Sequence, residues 1–143
     1  MIVGPNETKF ADLKKLCDTN IYKSVKFLPF TTSPEKYIIG ADVCCLPSYR
    51  EGFGTVIIEA GSCEVPAIGT NIYGLKDAIE HGETGLLVEV KNIEDLAKNM
   101  ILLAKNNDLR KKMGKNARKR VLKKFDSVLI IKKLMKVIDK KPS

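Results

Sequence analysis

The chain has 143 residues, 44% hydrophobic and 29% charged, with a formal charge of +8. That size suits one ordinary domain spanning residues 1–143, and that balance is globular, which excludes a disordered or membrane-embedded chain. No apolar run approaches the roughly 20 residues needed to cross a bilayer. The Met1-Ile2-Val3-Gly4-Pro5 start carries no basic segment of the signal-peptide kind, so the expected location is cytoplasmic.

In chain order, short β-type runs alternate with helical patterns, the signature of an α/β domain. The strand candidates are Ile2-Val3, Val25 to Leu28, Val43 to Leu46, Ala67-Ile68 and Leu86 to Val88. Most are short and apolar, as strands covered on both faces should be. The expectation is a Rossmann-like parallel sheet of about five strands with helices on both faces. Phe10, Leu13 and Cys17 fall at helical spacing after Pro5-Asn6. Asn92 suits the N-cap of a helix with the apolar stripe Ile93, Leu96, Ala97, Met100, Ile101 and Ala104. Leu109, Met113, Ala117 and Val121 make a second stripe, interrupted by Gly114. Residues 127–141 read as an amphipathic basic helix, its apolar clusters separated by Lys132, Lys133 and Lys136.

Cys44 and Cys45 are adjacent, so in a strand their side chains point to opposite faces. Neither C-x-x-C nor a Cys/His pair at metal spacing is present, and Cys17 and Cys63 sit in helical patterns. All four read as small buried hydrophobes. His81 precedes Gly82 in a surface turn, either as a solvated residue or as a general base. Between Lys105 and Lys141 only Asp108, Asp126 and Asp139 oppose the basic residues. That run is either a solvated helix face or a surface drawn to anionic lipid or another polyanion. No aromatic residues interleave with it as a stacking platform for nucleic acid requires, so no nucleic-acid partner is expected.

The informative stretch runs from Pro47-Ser48-Tyr49-Arg50 through Glu51-Gly52-Phe53-Gly54 to Thr55-Val56-Ile57-Ile58-Glu59-Ala60. It follows an apolar strand and enters a helix, and ligands of open α/β sheets bind beyond the carboxyl ends of the strands. Gly52 and Gly54 let backbone approach a ligand, and the amides of Gly54, Thr55 and Val56 offer donors to phosphate oxygens at a helix start. Glu59 lies one turn beyond Thr55, where a carboxylate can accept hydrogen bonds from a vicinal diol such as ribose. Arg50 serves either diphosphate or a surface ion pair. Alone, this fragment fits a tight turn before an exposed glutamate equally well.

Glu51 and Glu59 resemble the E-x7-E motif of retaining glycosyltransferases with the GT-B fold, the family that includes glycogen synthase-like enzymes and is called glycosyl transferases group 1. Ile2-Val3-Gly4, Val25-Lys26-Phe27, Ala41-Asp42-Val43, Pro66-Ala67-Ile68-Gly69-Thr70 and Gly85-Leu86-Leu87-Val88 are similar to further family segments, in family order. The resemblance extends through Phe125 and implies the carboxy-terminal, donor-binding domain. It implies that Glu51 is the catalytic residue facing the donor sugar, with the backbone of Gly52 and Phe53 holding its hydroxyls. Glu59 would bind the ribose, and Ser48, Gly54, Thr55 and Val56 would complete the substrate-binding set around the diphosphate. The implied reaction moves a sugar, with retention, from a nucleotide-diphosphate sugar to a glycan or lipid-linked acceptor. It needs no cofactor and no bound metal, and no D-x-D motif is present.

Three departures stand out. Tyr73-Gly74 replaces a Gly-Gly pair often found in the family, Pro29 replaces a usual glycine, and nothing ahead of Ile2 supplies the family's first strand and helix with their Arg and Lys. The amino-terminal acceptor domain is likewise expected from elsewhere, as a missing domain or a partner chain. This polypeptide alone is therefore expected not to transfer sugar. The alternative is a truncated paralogue or subunit that binds nucleotide sugar or a partner without turnover. A glycosidase is disfavoured because both carboxylates share one loop-helix segment.

Overall fold

A computed structural model of the chain describes residues 1–3 and 25–138. Two compact units are present, residues 1–34 and 35–143. In the first, β1 (Ile2–Val3) pairs in parallel with β2 (Phe27–Leu28), placing Ile2 opposite Phe27 and Val3 opposite Leu28. β2 is shorter than the expected run from Val25 and stops just before Pro29. Proline has no N–H for a ladder and holds its predecessor extended. The helix expected around Phe10, Leu13 and Cys17 lies outside the described residues, as do residues 139–141 of the last helix.

The second unit contains α1 (Glu35–Ile38), β3 (Cys44–Leu46), α2 (Thr55–Ser62), β4 (Ala67–Thr70), α3 (Tyr73–Ala78) and β5 (Gly85–Val88). Three helices follow: α4 (Ile93–Lys105), α5 (Asn107–Lys124) and α6 (Ser127–Ile138). Its sheet has the order β3-β4-β5, all parallel, with Cys44, Ala67 and Gly85 in one row and Cys45, Ile68 and Leu86 in the next. The five expected strands thus exist and pair in parallel within each unit, β1 with β2 in the first and β3-β4-β5 in the second.

The pleat of the triplet sorts its residues into two cores. On one face Ala67, with half-buried Cys44, Leu46 and Leu87, packs against Ile57 of α2 and Leu75, Ala78 and Ile79 in and after α3. On the other, Ile68, Leu86 and Val88, with Val43 and Cys45, pack against Leu96 and Leu103 of α4 and Leu109 and Met113 of α5. The neighbouring cysteines therefore face opposite cores, as their spacing predicts. Helices cover both faces of this sheet.

α4 begins where expected, with Asn92 Oδ1 accepting the Asp95 N–H at 3.0 Å. Its buried face differs. Leu103, absent from the predicted stripe, is fully buried, whereas Ile93 is 77% exposed and Met100 and Ile101 are also exposed. α4 turns into α5 at Asn106, whose side chain caps the new helix through the Leu109 N–H. Arg110 reaches back to the Leu103 and Ala104 carbonyls and pairs with Asp42 at 3.1 Å, closing the hairpin. A basic side chain on the last carbonyls of a helix satisfies groups that have no partner within it.

α5 then runs antiparallel to α2. A side chain at Gly114 would land on the Glu64 carbonyl oxygen, and one at Gly61 would press on Val121 and Ala117. Farther along, Phe125 meets Phe53. Gly114 does not interrupt the stripe of α5; it is the point of closest approach. Glu64 adopts φ 60 in the turn after α2, where Arg118 donates to the Ser62 carbonyl and approaches the Glu64 carboxylate at 3.8 Å.

At an exposed helix site glycine to alanine stabilises by about 1 kcal/mol. At Gly114 the sign should reverse. Gly114→Ala should cost about 1–3 kcal/mol, the usual range for overpacking, read as a lower urea midpoint with unchanged slope. The thiols generate a second expectation. Cys44, Cys45 and Cys63 are free. Burial, helped by Cys45 and Glu59 nearby, pushes the Cys44 thiol up to about 11, from an ordinary value of 9.0. The folded chain thus keeps this proton where the unfolded chain has lost it. That contribution to stability is whole below pH 9 and declines as pH rises toward 11. Native Cys44 should resist iodoacetamide at pH 8 and react once the chain is unfolded.

Candidate functional site

Because β3, β4 and β5 run in parallel, their carboxyl ends open on one edge, and the residues singled out by sequence gather there. Residues 47–54 leave β3 and lead into α2. Ser48 is half-buried, and its carbonyl accepts a hydrogen bond from Thr70 Oγ1 at the end of β4. Thr70 is itself buried, so the start of the loop is tied to the sheet beneath it. Asn71 continues this edge, donating to the Glu89 carboxylate beyond β5 at 2.6 Å.

The loop ends on Gly54, the residue preceding α2, at φ 69 and ψ 51. This left-handed conformation is costly for residues with a Cβ. A side chain there would also stand 2.5 Å from Leu75. Both facts make glycine the fitting residue. Among the described residues no side chain caps α2, and Gly54 contributes its carbonyl to the Ile57 N–H. The N–H groups at the start of a helix lack acceptors within it, so those of Thr55 and Val56 offer donors and a positive dipole end. Thr55 is exposed, Val56 half-buried, and Glu59 half-buried one turn farther along α2.

Glu51 is half-buried and Gly52 and Phe53 are exposed. Glu51 Oε1 accepts the Gly52 N–H at 3.2 Å, so the carboxylate lies back along its own loop. The backbone of this pair rests on Gly74 in the first turn of α3. A Cβ at Gly74 would come within 2.5 Å of both the Glu51 and Gly52 carbonyl oxygens. In the sequence, Tyr73-Gly74 stands out as a departure in a loop near the site, and this contact is not visible there. A glycine in the first turn of a helix is the one local hint of it. Tyr73 itself is 85% exposed. Phe53 meets Phe125 edge to face, with ring centres 5.4 Å apart and planes at 72°.

Arg50 makes no ion pair among the described residues. His81 lies away from this loop, in the turn before β5. Its Nδ1 accepts the Leu87 N–H at 2.9 Å, while the Gly82 N–H donates to the Gly85 carbonyl at 2.8 Å. The imidazole is therefore a backbone partner at the outer edge of β5. Among the described residues no three His, Cys, Asp or Glu side chains come together to hold a metal ion.

The site is thus an uncapped helix start behind a glycine turn, with one carboxylate in the loop and another on the helix. Oriented amides that await acceptors suit a phosphate-bearing ligand.

The chain is 38% identical over 111 residues to a capsular polysaccharide biosynthesis glycosyltransferase of Staphylococcus aureus, covering 78% of this chain and 29% of that protein. A crystal structure of a variant of S. aureus TarM, in complex with fondaparinux, alpha-GlcNAc-glycerol and UDP, superposes with a TM-score of 0.81 at 30% identity. It matches 91% of this chain and 26% of that one. The fold alone is shared with the C-terminal domain of a glycosyl transferase group 1 family protein of Francisella tularensis, at a TM-score of 0.70 and 22% identity, over 85% of this chain and 66% of that domain. The chain spans about a third of the length of the curated relatives it matches. The family described as "Glycosyl transferases group 1" matches residues 1–120, and the chain belongs to that family, with the fold of its GT-B carboxy-terminal domain.

Proposed function

We propose that residues 47–59 bind a nucleotide-diphosphate sugar and that the chain is the donor half of a retaining glycosyltransferase. The observation that carries this reading is the left-handed Gly54 before an uncapped α2, with Glu59 one turn on. In this reading the amides of Gly54, Thr55 and Val56 receive the diphosphate, and Ser48 borders it. Glu59 accepts the ribose hydroxyls, and Glu51, with the Gly52 and Phe53 backbone, faces the sugar. The UDP in the TarM complex supports a uridine nucleotide as the first ligand to test.

In transfer, the amides stabilise charge as it develops on the leaving diphosphate, which in turn helps take the proton of the acceptor hydroxyl. Preorganised donors of this kind are effective because they need no reorientation as charge builds. The acceptor is a glycan or a lipid-linked sugar, presented by an amino-terminal domain or a partner chain. Without it the two reactants are not held together, and that positioning supplies much of a transferase's rate. The chain on its own therefore binds donor and does not turn it over.

α6 supports a further element of this reading, an anionic membrane surface as partner. Val128, Ile131, Leu134, Met135 and Ile138 are all exposed and share one side of the helix, and Lys132 and Lys136 lie along its flank. Among the described residues no helix is long and apolar enough to cross a membrane. An apolar face flanked by lysines suits a helix lying in the lipid interface, where each lysine contributes about 1 kcal/mol.

Titration separates the two carboxylates. A hydrogen bond to a charged group is worth roughly 1.5–3 kcal/mol, so Glu59→Gln should weaken UDP binding by about tenfold or more. Glu51→Gln should leave UDP affinity intact and weaken binding of the UDP-sugar. Equal losses in both variants would refute this division. For α6, sedimentation with phosphatidylserine vesicles should exceed that with phosphatidylcholine and fall as salt is raised. Binding indifferent to lipid charge would remove the membrane from the reading.

A further inference from the structure

We infer that Phe125, at the junction of α5 and α6, is a positioning residue for the Glu51–Phe53 loop. Its ring holds Phe53 and so sets where the loop backbone meets the sugar. The inference rests on the proposed reading of that loop as the sugar-facing part of the site.

The loop has few holds. Among the described residues the Glu51 carboxylate binds only within the loop, to the Gly52 N–H. None of them stands within 4 Å of where a Cβ on Gly52 would be. Gly74 supports the backbone from one flank. Phe53 supplies the other hold, through its edge-to-face contact with Phe125. In this arrangement the positive edge of one ring meets the negative face of the other, which favours a particular relative orientation as well as proximity.

Phe125 is itself held in place. Its N–H donates to the Val121 carbonyl at 2.8 Å, at the end of α5. The Arg120 guanidinium lies 5.9 Å from the ring centroid, within reach of a cation–π attraction. That guanidinium is anchored by Glu80 Oε2 at 2.8 Å and by the Asp77 carbonyl at 2.9 Å. Asp77 belongs to α3, whose first turn carries Gly74. α3 therefore braces the loop twice, directly through Gly74 and indirectly through Arg120, Phe125 and Phe53.

A purely structural phenylalanine would be expected deep in a core. Phe125 is half-buried, and its partner Phe53 is 41% exposed. Neither ring belongs to a buried core cluster, so what the pair chiefly provides is the placement of the loop.

The test uses Phe125→Leu, which keeps an apolar side chain but removes the ring, and Phe125→Tyr, which restores it. In the full chain, Phe125→Leu should bind UDP like the parent and lose roughly threefold or more in affinity for UDP-glucose or UDP-N-acetylglucosamine. Its amide resonances at 52–54 should shift in the ligand-free protein while those of β5 and α4 stay in place, and Phe125→Tyr should reverse both effects. Unchanged resonances at 52–54 with unchanged sugar-nucleotide affinity would overturn the inference and leave the proposed function standing. Parent protein that binds UDP and UDP-sugars alike would defeat the sugar-facing reading, and the inference with it. Shifts throughout the spectrum that tyrosine does not reverse would reduce Phe125 to a packing residue.

Discussion

The close approach of α5 to α2 organises much of the second unit. Two positions without side chains, Gly61 and Gly114, let the helices meet almost backbone to backbone. Once that distance is set, the antiparallel course of α5 carries its last residues to the loop where α2 begins. The phenylalanine pair, the cation over it and the anchoring of that cation on α3 all follow from this course. A bulkier crossing would move the end of α5 outward and leave the loop braced on one flank. The site at the carboxyl edge of the sheet is thus supported from a crossing near the opposite end of α2.

Features governed by neighbours along the chain are legible in the sequence alone. Asn92 acts as a cap because a short polar side chain can reach an amide three residues on, whatever the tertiary setting. Cys44 and Cys45 divide between two cores because alternation along a strand is a local property. The turn at Gly54 can be placed because a left-handed residue before a helix calls for glycine. The family motif adds the partition of roles around it, which local chemistry alone leaves open.

What stays hidden depends on partners distant in sequence. The predicted stripe of α4 includes Leu96, which does pack inward, but the hairpin with α5 also buries Leu103, which the stripe omits, and leaves Ile93 and Met100 in solvent. Nothing local distinguishes Leu103 from its neighbours. Gly114 reads as a defect in its helix because the carbonyl that demands it belongs to Glu64, on another element far back in the chain. Thr70 lies in a family-like segment and Gly74 in a departure from a family pair, yet their contacts with the Ser48 carbonyl and with the Glu51–Gly52 backbone show only when the fold is in place.

The turn at His81 has a consequence for how the three-stranded sheet can associate. An exposed sheet edge is a template for another chain, and proteins commonly blunt such edges. Along the outer side of β5 the Gly85 carbonyl and the Leu87 amide are already occupied, by Gly82 and by the His81 imidazole. A strand approaching from that side would have to displace both. Growth of this sheet is therefore disfavoured beyond β5, and two backbone groups that a passing strand would seek are satisfied within the chain itself.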